Sequence, residues 1–168
     1  DGESYEPARY EGYGPGGIAI IADCLQCNSN KTAPEIRAIF AKGGGNLGTP
    51  NSVSFGFTHE GIILIDATSA DEDAVIETAL EAGANDVETE DGLISVTTEP
   101  SGFLEVKDAL VAAGFKVEQA ELTFTPETTV ALAVERARSF LRLVDALEDQ
   151  DDVQKIYHNA EIPDEAYE

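Results

Sequence analysis

The sequence predicts an α+β protein made of two ferredoxin-like α/β units, one inserted into the other. Three observations carry this. First, helix-period and strand-period segments alternate along the 168 residues, and no apolar run approaches the roughly 20 residues of a membrane span. Second, residues 1–66 read β-α-β-β, a ferredoxin-like unit short of its last helix and strand, and the final third supplies one of each. Third, the middle reads α-β-β-α-β and carries an internal echo. Ala79-Leu80-Glu81-Ala82-Gly83 is answered by Ala109-Leu110-Val111-Ala112-Ala113-Gly114, and Val-Glu follows each, at 87–88 and 117–118. The closure these suggest is a split domain, 1–66 plus 131–168, interrupted by an inserted domain, 67–130.

The elements follow in order. Residues 1–9 are polar and expected to be loose. Tyr10 to Gly17, reading YEGYGPGG, reads as a shaped loop, since glycine allows positive φ and proline fixes φ. Ile18–Cys24 is a strand buried on both faces. Thr32, with Glu35 three residues on, predicts a capping box, and Ile36, Ile39 and Phe40 form one apolar face. Gly43-Gly44-Gly45 stops that helix. Val53, Phe55 and Phe57 alternate as a strand, His59-Glu60-Gly61 turns the chain, and Ile62–Ile65 is a second strand. Ser69 with Glu72 caps the next helix, with Val75, Ile76, Ala79 and Leu80 as its stripe. Asp91-Gly92 between Val87–Glu90 and Leu93–Thr98 is a hairpin signal. Ser101 caps a helix bearing Phe103, Val106 and Leu110. Phe115–Val117 and Leu122–Phe124 are strand-like, with a phase slip near Gln119–Glu121 that predicts a bulge or break. A helix over Val134–Leu147 and a strand over Val153–Tyr157 complete the chain.

The motifs exclude more chemistry than they suggest. Gly12-x-Gly14-x-Gly16-Gly17 has the look of a dinucleotide fingerprint, but it precedes a strand where that loop must open a helix. Gly43 to Gly48 sits at a helix C-terminus, whose dipole disfavours phosphate. Cys24 and Cys27 are spaced C-x-x-C, yet only His59 and His158 could complete a zinc site, so two reduced thiols are expected and no metal. Both histidines read as lone surface residues. No catalytic constellation and no cofactor is expected.

The net charge is −23, with 42% hydrophobic and 26% charged residues. Such a surface repels nucleic acid and anionic membranes, so the few basic residues become informative. Lys31, Arg37 and Lys42 fall on or beside the first helix, and Arg136, Arg138 and Arg142 on the last. In a ferredoxin-like unit those helices lie side by side, and the six are the candidate nucleic-acid contacts. The chain begins at Asp1, without a basic-then-apolar leader, and contains no Met. A fragment or processed form of a cytoplasmic protein, or of a mitochondrial matrix protein in a eukaryote, is expected.

YEGYGPGG at 10–17, GGNLG at 44–48, ALEAGA at 79–84, RLVDALEDQDDVQKIYHN at 142–159 and Glu161-Ile162 together resemble the YebC/PmpR family, in that family's order. The resemblance implies a non-enzymatic regulator of gene expression. Family members are probable DNA-binding transcriptional regulators, and some act in translation at the ribosome, as the mitochondrial activator of cytochrome c oxidase I does. It also implies three domains, the last two α/β with one inserted in the other. The basic helical first domain has no counterpart here, and it is the expected carrier of DNA or ribosomal RNA binding, beside a protein partner. Where the family carries an Arg-containing loop, this chain reads Asn28-Ser29-Asn30-Lys31-Thr32. Tyr10, Gly12, Tyr13, Gly14, Pro15, Gly16 and Gly17 are then expected to form an interdomain joint or hinge.

Overall fold

Fourteen residues from Ser29 to Lys42 form the helix α1, and the strands before it explain why it sits where it does. The computed structural model describes residues 4–167. The expected looseness of 1–3 lies outside these residues. From Glu6 onward the chain is already a strand, β1 (Glu6–Gly14), which pairs antiparallel with β2 (Ile18–Gln26) along its whole length. The loop expected at 10–17 is corrected accordingly. Only Pro15-Gly16-Gly17 turn the chain, closed by the Gly17 N–H donating to the Gly14 carbonyl at 3.1 Å. Proline at the second position and Gly16 at φ +83 are what a type II turn demands.

Two compact units result. One comprises the chain up to Thr58 and from Pro126 onward; the other is His59–Thr125. The boundaries differ from 66/67 and 130/131 because β4 is one strand, Phe57–Asp66, paired through Gly61–Asp66 with the second sheet. The turn expected at His59-Glu60-Gly61 does not form. The strand expected through Val53 and Phe55 is a 3-10 turn, Ser54–Gly56.

In the first unit the sheet order is β3-β1-β2-β9, with β3 at Asn46–Leu47 and β9 at Val153–His158. The hairpin at its start gives this unit the order β-β-α-β-α-β. α1 and α4 (Val134–Asp149) pack together and share one core with the sheet. Ile18, Ile20 and Cys24 of β2 meet Ile36 and Phe40 of α1 and Ala137, Phe140, Leu143 and Leu147 of α4. Ala22 lies on this same face; Ile21, on the opposite one, is also fully buried, so β2 is covered on both faces at its centre, while Leu25 near its end is exposed. A parallel pair of two-residue strands, β8 (Val130–Ala131) and β10 (Ala160–Glu161), lies outside the main sheet.

The second unit runs β4, α2 (Glu72–Ala82), β5 (Asp86–Glu90), β6 (Leu93–Thr98), α3 (Phe103–Ala112), β7 (Val117–Pro126). Its sheet order is β5-β6-β4-β7, the ferredoxin-like arrangement. The hairpin turn is Asp91-Gly92, with φ of 54° and 78°. β7 is unbroken, but Val117 and Ala120, three apart, both pack on the core, so its alternation slips by one residue.

Helix caps moved most. Asn28 caps α1 through its side-chain oxygen at the Asn30 N–H, 3.0 Å, and Asp71 caps α2 at the Asp73 N–H, 3.1 Å. Thr32 is instead fully buried inside α1, bonded to Asp152 at 2.5 Å. A 3-10 turn, Pro100–Gly102, leads into α3 in place of a Ser101 cap. Asn and Asp cap as readily as Ser and Thr, and here Asn28 and Asp71 stand one residue before the helices, with a side-chain oxygen on the N2 amide.

Candidate functional site

The α1–α4 layer is where the basic residues collect, and its rotation is set by burial. Thr32, Ile36 and Phe40 point α1 into the core; Ala137, Phe140, Leu143 and Leu147 do so for α4. Gln150, just past α4, donates to Glu35 near the start of α1 at 3.1 Å, while Leu143 lies by Gly43 at its end. The helices are therefore antiparallel.

Between the end of α1 and the middle of α4 lies a groove of about 570 Å³. Ile39, Gly43, Leu143 and Ala146 form its apolar lining, and Lys42, Arg142 and Ser139 its polar rim. Arg142 donates from Nη2 to Ser139 Oγ at 3.1 Å, which steadies the guanidinium over the groove. Arg138, one turn back along α4, donates to the Glu165 carbonyl at 3.1 Å and lines a neighbouring depression with Arg142.

Of the six predicted basic residues, the structure brings together Lys42, Arg138 and Arg142. Lys31 shares the α4-facing flank of α1 but stands eleven residues before Lys42, about 16 Å along the axis. It lies at the end where α4 finishes in Glu148 and Asp149. Arg136 is in the first turn of α4, beside Gly16 of the hairpin. Arg37 falls roughly 160° around α1 from Ile39, on the flank turned away from α4, so six residues do not form one patch. All six are exposed, and none is ion-paired to a carboxylate among the described residues. Sequence reasoning missed Ser139 and the apolar groove lining; Ser139 stood three residues before Arg142, the spacing at which helical side chains meet.

The predicted joint residues have a different setting. Tyr10, Gly12, Tyr13 and Gly14 belong to β1, with Gly12 and Tyr13 paired on both sides, to β2 and to Leu47 and Asn46 of β3. A doubly paired strand is held by its ladder, which corrects the loop reading. Tyr10 donates from its hydroxyl to Gln26 at 2.6 Å, and burial raises its pKa. Pro15, Gly16 and Gly17 are the part of the stretch outside the ladder.

Other titratable groups are structurally engaged. Glu11 is 3% exposed and accepts from the backbone N–H groups of Asn51, Val53 and Ser54 at 2.9, 3.1 and 2.8 Å. His158 is not a surface histidine. Its ring meets Phe140 edge-on at 4.8 Å, burial lowers its pKa, and Nδ1 accepts from the Ala160 N–H. His59 is exposed and stacks on Phe124 at 4.4 Å. Among the described residues no cluster of His, Cys, Asp and Glu could hold a metal, and no helix is long and apolar enough to cross a membrane.

Residues 5–160 match the family described as TACO1/YebC second and third domain. The chain belongs to the TACO1/YebC family. It is 52% identical over 166 residues to a probable transcriptional regulatory protein of Proteus mirabilis, covering 98% of this chain and 66% of that protein. A probable transcriptional regulatory protein of Desulforapulum autotrophicum is 47% identical over 168 residues, covering 100% and 68%. The chain thus spans about two thirds of the length of these relatives. Among solved structures, a conserved hypothetical protein of Aquifex aeolicus is similar, with TM-score 0.81 and 38% identity over all of this chain and 70% of that one. The TACO1/YebC α/β portion is therefore the fold on which the basic α1–α4 layer sits.

Proposed function

We propose that this TACO1/YebC chain is the α/β portion of a non-enzymatic regulator of gene expression. In this reading it touches nucleic acid through the crest formed by Lys42, Arg138 and Arg142. One observation carries the reading: three neighbouring cations stand without carboxylate partners on a protein of net charge −23. An acidic protein that leaves three neighbouring cations outside any ion pair among the described residues, with Asp145 the carboxylate in the depression beside Arg138 and Arg142, has a local surface suited to phosphates. The names of its relatives, probable transcriptional regulatory proteins, support the same class.

The remaining surface repels a long polyanion, so this chain alone binds duplex DNA weakly at physiological salt. Transcript or ribosomal RNA is the second reading, favoured because the crest is short and suits a few phosphates rather than a duplex-length footprint. Ribosome co-sedimentation and mobility-shift assays on duplex DNA, with the parent chain and with Arg138→Glu, test the proposal. Charge reversal should weaken association and lower the salt slope by about one. Association indifferent to Arg138→Glu would remove the crest as the contact.

A further inference from the structure

We propose that the groove between α1 and α4 seats one unpaired nucleotide of a single-stranded nucleic acid. Its base lies on the apolar lining, and its flanking phosphates meet Lys42 and Arg142. This rests on the nucleic-acid reading above and narrows it to a strand state.

The groove differs from a simple phosphate contact. A duplex keeps its bases stacked inside and offers only its charged backbone, which gains nothing from Ile39, Leu143 and Ala146. An unstacked base exposes both faces: one buries apolar area on the aliphatic lining, the other offers a plane for the Arg142 guanidinium, and the backbone follows the nearby cations. The cavity, about 570 Å³, lies in the range that holds small-molecule-sized groups. Lys42 and Arg142 stand at its rim, free of carboxylate partners among the described residues, and Arg138 continues the row one turn along α4.

The same groove is poorly matched to an acidic peptide. It opens at the C-terminal end of α1. The carbonyls of Ile39, Phe40 and Ala41 accept there from Gly43, Gly45 and Gly44, while those of Lys42 and Gly43 receive no backbone N–H among the described residues. This acceptor-rich, negative end of the helix dipole disfavours a carboxylate held inside the groove. It favours the exocyclic amino group of adenine, cytosine or guanine, which donates. The phosphates stay outside, on the rim.

The test is fluorescence anisotropy with the 168-residue chain. The probes are a labelled single-stranded RNA of mixed sequence and the same strand annealed to its complement. The single strand should bind roughly tenfold tighter than the duplex. Ala146→Phe, which fills the groove and leaves every cation in place, should weaken single-strand binding about tenfold with the salt slope unchanged. In the unsubstituted protein, the methyl NMR signals of Ile39, Leu143 and Ala146 should shift on titration with the single strand; this readout does not depend on any variant folding. Equal or tighter duplex binding, parental affinity in a folded Ala146→Phe chain, or unmoved methyl signals overturns the groove assignment. So does displacement of the RNA by an acidic peptide with the same methyl shifts. If Arg142→Glu weakens binding while Ala146→Phe does not, the groove falls and the crest stands. If neither probe binds, both fall.

Discussion

Gly45 lies directly against the carbonyl oxygen of Tyr13, with Gly14 Cα 2.9 Å from where a β-carbon would stand. The obstacle is backbone on both counts, in the central strand β1, so no side-chain rotation can relieve it. Gly45→Ala must push the end of α1 off the sheet, and it should destabilise the protein by about 2 kcal/mol, as overpacked cores do. Gly56 is the control. Nothing lies within 4 Å of the place a β-carbon would take there, and its φ is not positive, so Gly56→Ala should stay within about 0.5 kcal/mol of the parent. Urea unfolding of the two variants decides it; equal midpoints would show that β1 and α1 have room to part.

Glu11 predicts an acid-sensitive loop. Burial raises its pKa, but the N–H groups of Asn51, Ser54 and Val53 more than offset this, and the carboxyl lies below its ordinary value. A depressed folded-state pKa contributes stability that is fully present above the unfolded value, 4.5, and is lost as pH falls through the lower folded value. Glu11→Gln keeps the shape but cannot serve three donors with a charge, so it should cost about 2 kcal/mol at neutral pH. Its stability should also fall less than the parent's as pH drops through that range, from 4.5 down to the lower folded value. Parallel pH profiles for parent and variant would show that the carboxylate is not the anchor of residues 51–54.

How far the sequence reached follows the locality of each signal. Asp91-Gly92 was legible because a two-residue turn is decided by its own φ values. β1 was not, since a run holding Gly12, Gly14 and Pro7 has weak strand propensity. What makes it a strand is its pairing to β2 and β3, a tertiary gain that overrides propensity. His59-Glu60-Gly61 misled for the same reason: polar, glycine-containing residues sit in a strand because its neighbours hold the ladder. In the site, Arg138 and Arg142 were legible as one helical face. Arg37 could not be set aside locally: Ile36 and Phe40 turn α1 toward the core, but only the position of α4 decides which exposed flank meets Arg138 and Arg142. The meeting of Lys42 with Arg142 required the antiparallel packing of two helices about a hundred residues apart, which no local period encodes.

The two cysteines should differ sharply in reactivity. Cys24 is buried in the core under α1 and α4, and burial, followed by the nearby carboxylates of Asp152 and Asp23, pushes its thiol up to about 11. Cys27 is exposed just beyond β2. The thiolate is the nucleophile, so Cys24 stays protonated and shielded at neutral and mildly alkaline pH. Titration of the native protein with a thiol reagent should therefore report one fast group, and denaturation should release the second. Cys27→Ser should abolish the fast group and leave the slow one. Cys24→Ser, by contrast, places a hydroxyl in an apolar core and should destabilise by about 1–3 kcal/mol without changing the fast reaction. Two groups reacting at equal rates in the native chain would mean that β2 opens to solvent far more readily than a doubly covered central strand allows.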